Sequence, residues 1–220
     1  MDDQERLGRT ADYALTADPL RMSKDRLQAF SDGVIAILIT IMVLELHTPK
    51  GTDWHALREE LPVLLAYVLS FVYIGIYWNN HHHMLSAVQR VSGGALWANL
   101  HLLFWLSLVP FTTAWMSENR FPTVPVAVYG ITLLAAAIAY YILQTMLLRA
   151  DDDGSMLAVA IGSDFKGKVS PLLYCLGIGL SFANRWLGMA VYTLVALMWL
   201  VPDRRVERVL GGPQDTVDAV

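Results

Sequence analysis

Residues 26–46, RLQAFSDGVIAILITIMVLEL, form an apolar run interrupted near its front by Arg26, Ser31 and Asp32. At about 1.5 Å per residue a helix of this length is roughly 31 Å long, enough to cross the hydrocarbon core of a bilayer once. Asp32 then lies about 9 Å in from Arg26, where a lone carboxylate costs at least ~2.5 kcal/mol. A carboxylate so placed requires a partner on whatever packs behind the helix.

At about 100° per residue this helix separates into two faces. Gly33, Ile37, Ile41 and Leu44 fall within about 40° of one line and Thr40 within about 60° of it, with Arg26 and Phe30 continuing the line. Ser31 and Asp32 point roughly 120 to 140° away. One face is therefore free to line something, while the other is wired to its neighbours. Taken alone, the stripe of Ile37, Ile41 and Leu44 reads first as lipid-facing or packing residues, the usual role of apolar side chains at i, i+4 and i+7 of a membrane helix, and only second as a pore lining.

The remainder of the chain repeats the membrane signal. Of 220 residues 55% are hydrophobic and only 16% charged, more apolar surface than one soluble core of this size needs. A net charge of -4, spread between tails and loops, gives no case for nucleic-acid binding. Cys175, the one cysteine, excludes an intrachain disulfide and a cysteine-rich metal site. Residues 1–24 lack the short apolar core and small-residue cleavage site of a signal peptide and read as a cytosolic tail. The first apolar span then acts as both insertion signal and permanent helix.

Further spans are expected at residues 61–78, ending in YWNNHHHM, at 95–116, which carries Asn99 and His101 near its start, and at 126–148, which stops at Arg149 before three aspartates. Residues 151–168 are too polar and glycine-broken to cross, with a short helix expected at 156–161. Two shorter apolar runs, 169–183 and 186–201, meet at Asn184-Arg185; a re-entrant hairpin would fit their length, but two full spans are expected, six in all. The domain plan is a cytosolic tail (1–24), an all-α six-span membrane domain (25–201) and a cytosolic tail (202–220). With the amino terminus inside, twelve Lys and Arg lie on the cytosolic side and four, Lys50, Arg58, Arg120 and Arg185, on the other. That excess places both termini in the cytosol.

His81, His82 and His83 together with His101 suggest a metal cluster, but the tract has no Glu at i+3 or i+4 and no thiolate nearby. Depth gives another role. The tract ends the second span, Asn99 and His101 begin the third, and Asp32 lies equally deep on the first. Such donors offset the desolvation of a buried carboxylate. Val128-Tyr129-Gly130 sits within a helical span and lacks the loop a carbonyl filter needs. Trp54, Trp78, Trp97, Trp115, Trp186 and Trp199 read as interfacial anchors.

The run Arg26, Phe30, Ser31, Asp32, Gly33, Val34, Ala36, Ile37, Thr40 resembles the R-x-x-x-F-S-D-G-V-x-A-I-x-x-T signature of the transmembrane protein 175 family, the endolysosomal potassium channel of animals and its single-repeat bacterial relatives. Tyr77, Trp78, His81 and His82 resemble that family's Y-W-x-x-H-H stretch, and Leu108, Pro110, Phe111 and Thr113 the end of its third helix. The resemblance implies a potassium-permeable channel of the cell membrane, assembled as a homotetramer with first helices around the pore. It implies constrictions at Ile37, Ile41 and Leu44, selectivity at Thr40, and a structural polar network of Arg26, Ser31, Asp32, His81, His82, Asn99 and His101. Potassium ions and lipid are then the partners, and no enzyme activity, cofactor or metal is expected. The alternative is a proton-coupled or proton-conducting transporter in which Asp32, Glu45 and the histidines titrate.

Overall fold

A computed structural model describes residues 24–88, 91–150 and 165–200. The expected tails and the short helix at 156–161 lie outside the described residues, apart from Lys24. Seven helical segments are described: α1 (Lys24–Leu44), α2 (Trp54–Ser86), α3 (Gly93–Ser107), α4 (Val109–Glu118), α5 (Thr123–Ala150), α6 (Phe165–Ala183) and α7 (Arg185–Leu200). No strand occurs among the described residues. Because α3 and α4 are one apolar span broken at Leu108, the described residues fold as six helices, an all-α arrangement.

Local chemistry sets the ends of these helices. Asp53 caps α2 by accepting from Ala56 N at 2.9 Å, and Ser92 caps α3 by accepting from Ala95 N at 3.2 Å. The break at Leu108 follows from Pro110, which has no N–H to continue the ladder and is tolerated only in a first turn. Below it the Thr112 and Thr113 hydroxyls both donate to Val109 O. Between α4 and α5 the backbone turns through Arg120 (φ 60°) and Phe121 (φ 58°). Side chains there cost about 1–2 kcal/mol per residue, offset by burying Phe121 against the Trp186 ring, 5.5 Å away.

α1, α2, the α3–α4 span and α5 are long and apolar enough to cross a membrane. The last two helices, 19 and 16 residues long, form a hairpin at Asn184, whose Oδ1 accepts from Trp186 N at 2.9 Å. α5 is the centre of the packing and touches α3, α4, α6 and α7. Val126, Tyr129, Leu133, Ala136, Ala139, Leu143 and Leu147 along it are all sealed. α1 lies at the edge, resting on α2, α3 and α4.

Tyr192 of α7 closes the interior in a slot made by two glycines. A Cβ at Gly130 would overlap the Tyr192 hydroxyl, and one at Gly177 would press on the Tyr192 ring edge. Only glycine lets the α5, α6 and α7 backbones close around that ring. The Tyr192 hydroxyl has no hydrogen-bond partner among the described residues.

Candidate functional site

The two faces of α1 have opposite surroundings. Leu27, Ser31, Ile35, Leu38 and Met42 are buried against the bundle. Phe30 (53% exposed), Ile37 (58%), Ile41 (41%) and Leu44 (82%) are uncovered in the single chain, and Gly33 and Thr40 share their side. Four large apolar side chains in line and facing outward leave an apolar surface that the subunit does not use for its own packing.

Thr40 stands in this surface with its hydroxyl donating to Ile37 O at 2.8 Å. The proton is committed to the helix, so the oxygen lone pairs are what the side chain can offer outward. A hydroxyl oriented this way can ligate a cation.

Behind α1 the polar residues form a chain. Ser31 Oγ donates to Leu27 O at 2.9 Å and accepts from Asn99 Nδ2 at 2.9 Å. Asn99 Oδ1 accepts from His81 Nε2 at 2.7 Å. Because an amide oxygen only accepts, Nε2 carries the ring proton and Nδ1 is the lone-pair nitrogen of neutral His81. Nδ1 has no hydrogen-bond partner among the described residues. Ser31, His81 and Asn99 are each 0% exposed, so one sealed chain joins α1, α2 and α3.

The partner expected for Asp32 is corrected. Asp32 Oδ1 accepts from the Trp78 indole N–H at 2.9 Å, not from a histidine or from Asn99. One residue beyond Ser31 the helix has turned by about 100°, which carries Asp32 off α3 and onto the flank facing α2. Trp78 is thereby a positioning residue for α1 and not only an interfacial ring. His82 is placed elsewhere too: its Nδ1 accepts from Gln28 Nε2 at 2.8 Å. His101 is exposed on α3 and accepts through Nε2 from Trp105 Nε1 at 2.9 Å, away from the sealed chain. Arg26 lies on the exposed side of α1.

Two contacts were not visible in the sequence. Lys24 Nζ donates to Ser86 O and Val88 O, both at 3.2 Å, and so caps the carboxyl end of α2, where a cation also opposes the helix dipole. With Gln28 and Asp32, it makes three consecutive turns of α1 bond to α2. In the middle of the bundle Ser70 Oγ bonds Thr113 Oγ1 at 2.7 Å and the Tyr129 hydroxyl at 3.0 Å, joining α2, α4 and α5. No group of three or more His, Cys, Asp or Glu is arranged around a metal-sized point among the described residues.

This architecture has known relatives. The sequence profile of the family described as endosomal/lysosomal potassium channel TMEM175 matches residues 26–110, from α1 to the first turn of α4. A potassium channel of Chryseobacterium sp. (strain P1-3) is 53% identical over 189 residues, covering 86% of this chain and 98% of that protein. A potassium channel of Streptomyces collinus is 37% identical over 185 residues, 79% of this chain and 90% of its own length. The crystal structure described as a lysosomal potassium-selective channel TMEM175 homolog from Chamaesiphon minutus superposes with a TM-score of 0.67 at 31% identity, covering 81% of this chain and 96% of that one. With near full-length relatives, a matching fold and the signature on α1, the chain is a multi-pass membrane protein that belongs to the TMEM175 family.

Proposed function

We propose that the protein is a homotetrameric, potassium-permeable channel of the cell membrane, with both termini cytosolic and α1 of each subunit at the central axis. One helix cannot enclose a pore, so several copies must surround it. The observation that carries this reading is the uncovered stripe of Ile37, Thr40, Ile41 and Leu44, set opposite the face that Ser31 and Asn99 anchor. Rings of Ile37, Ile41 and Leu44 form narrow hydrophobic constrictions that gate by dewetting, and Thr40 oxygens replace part of the hydration shell of a passing ion. The reading is supported by relatives named potassium channels over nearly their whole length. Residues 25–201 make up the channel domain, flanked by tails 1–24 and 202–220, and no catalytic step is assigned to any residue.

The anchored face gives the mechanism its precision. The contacts of α1 with α2 and α3 fix the rotation of the helix about its axis, and a rotation of one residue, about 100°, would exchange Ile37 for a neighbour in the ring. The test is the reversal potential of purified protein in planar bilayers under opposed potassium and sodium gradients. A reversal near the potassium equilibrium potential with unsaturating current supports the channel. Flux that saturates with substrate and follows the proton gradient would establish the transporter instead.

A further inference from the structure

The His81–Asn99 bond fixes which way α2 and α3 face each other, and so where the residues beside it point. Two residues turn an α-helix by about 200°, so a side chain two positions away points about 160° from the first. Asn79 stands two residues before His81 on α2, and His101 two after Asn99 on α3. Because His81 and Asn99 point at each other, Asn79 and His101 point apart, out of opposite flanks of the subunit, and both are exposed in the single chain. α1 lies across the two helices, bonded to α3 through Ser31 and to α2 through Asp32. Depth matches as well. α2 ends and α3 begins on the same side, so each residue lies about 3 Å further into its span than the His81–Asn99 bond.

Each of the two carries a polar group with nothing to bond. His101 Nε2 accepts from Trp105 Nε1 at 2.9 Å, so in the neutral ring the proton sits on Nδ1, which has no partner among the described residues. The Asn79 side-chain amide has none there either. Their surroundings are apolar and uncovered: Trp97, Leu100 and Phe104 share the His101 side of α3, and Val68, Phe71 and Trp78 the Asn79 side of α2. His101 lies about 12 Å from the start of its span and Asn79 about 10 Å from the end of its own. Facing lipid at that depth, the ring N–H and the amide would stay unsatisfied, and polar side chains within spans pair instead. Pointing apart, they cannot pair with each other in one chain.

We propose that the Asn79 amide oxygen accepts a hydrogen bond from Nδ1–H of His101 of the partner subunit, so that the α2 flank of each copy docks on the α3 flank of the next. This docking rests on the reading of several copies ringed about α1. A ring needs two unlike faces that meet head to tail, whereas a face that meets itself closes at two copies. The two flanks are unlike in the required way: at one depth, one offers an acceptor and the other a donor, each set among apolar side chains. Like faces in contact would set Asn79 against Asn79 and leave His101 bare in lipid. The contact also adjoins the pore helix, because Asn79 follows Trp78, whose indole holds Asp32.

Cross-linking in lipid vesicles tests the docking. Cys175→Ala first removes the exposed native thiol. In that background Asn79→Cys and His101→Cys are placed in one full-length chain and treated with copper phenanthroline or a short bis-methanethiosulfonate. A ladder of dimer, trimer and tetramer is expected, whereas chains with Asn79→Cys alone, co-expressed with chains carrying His101→Cys alone, should stop at the dimer. Cross-linking of either single variant to itself would mean that like faces meet and overturns the proposal. So does a ladder no stronger than that of Asn79→Cys with Thr193→Cys, an exposed position on α7, which is random collision. The bond itself is read without cross-linker. His101→Leu should lower the tetrameric share in mild detergent severalfold, and His101→Gln, whose amide can accept from Trp105 and donate onward, should keep it, with helical content unchanged in both. Equal loss in the two, or none in His101→Leu, overturns the bond. A tetrameric wild type without a ladder sinks the docking alone and leaves His101 facing lipid. A monomeric wild type sinks the docking and the channel reading together, and a ladder in a protein that carries no potassium current sinks the channel reading only.

Discussion

Replacing Asn99 by leucine, which has nearly the same shape, removes two hydrogen bonds from a place no water reaches. Ser31 Oγ loses the donor from Asn99, and His81 Nε2–H loses its acceptor beside an Nδ1 that already lacks a partner. An orphaned buried donor costs about 1–3 kcal/mol, whereas side-chain hydrogen bonds measured within membrane bundles average about 0.6 kcal/mol because the unfolded helices also find partners. Together these give an expected loss of about 1–3 kcal/mol. His81→Phe alone should cost a similar amount, since it strands Asn99 Oδ1 instead. The double variant leaves neither group stranded, so its loss should fall below the sum of the single losses by about 1 kcal/mol or more. Denaturant titration of the detergent-solubilised protein, followed by helical circular dichroism, measures all three. Asn99→Leu within about 0.5 kcal/mol of wild type, or strictly additive losses, would refute the sealed chain as an energetic unit. His101→Ala, altering an exposed residue outside the chain, should stay within about 0.5 kcal/mol.

Four further outcomes are expected. Ile37→Asn should raise single-channel conductance and lower potassium preference, while Ile35→Asn, which places an amide at a 2% exposed position, should cost about 1–3 kcal/mol of stability with no gain in current; equal effects on conductance would mean a rotated helix. Thr40→Ala should shift the reversal potential toward that of an unselective pore while current persists, and an unshifted value would leave Thr40 bonding only to Ile37 O. Gly130→Ala should destabilise by about 1–3 kcal/mol through overlap with the Tyr192 hydroxyl, and Tyr192→Phe should restore much of that loss in the same titration. Finally, burial and then the neighbouring Glu118 raise the Glu45 carboxyl above its ordinary range, so its contribution to stability is present at low pH and lost as pH rises through the raised value. Glu45→Gln should thus be more stable than wild type at neutral pH, with the gap closing on acidification; a pH-independent gap would contradict this assignment.

The division of α1 into two faces was legible because a 3.6-residue period ties sequence position to direction, and burial follows the same period. What hydropathy could not give was the end of a helix. The apolar limit of the second span is residues 61–78, yet α2 runs Trp54–Ser86, because its polar flanks are hydrogen-bonded helix beyond the apolar stretch. The Asp32 partner was misread because an indole N–H was counted only as belt chemistry. Asn99 and His101, two residues apart on a helix, face nearly opposite ways and could not both have joined one chain. The Gly130 and Gly177 slot needs the packing of three helices to be seen, and no local pattern announces it.

The position of α1 at the edge of its own subunit has a consequence for how such a chain can change over generations. Ile37, Thr40, Ile41 and Leu44 contribute little to the interior that α5 organises, so substitutions there leave the fold of the single chain almost untouched. On the channel reading proposed above, permeation can therefore drift from one preference to another by single substitutions that pass quality control, whereas Ser31 and Ile35, one face away, and Asn99 behind them on α3, are held by the requirement to fold.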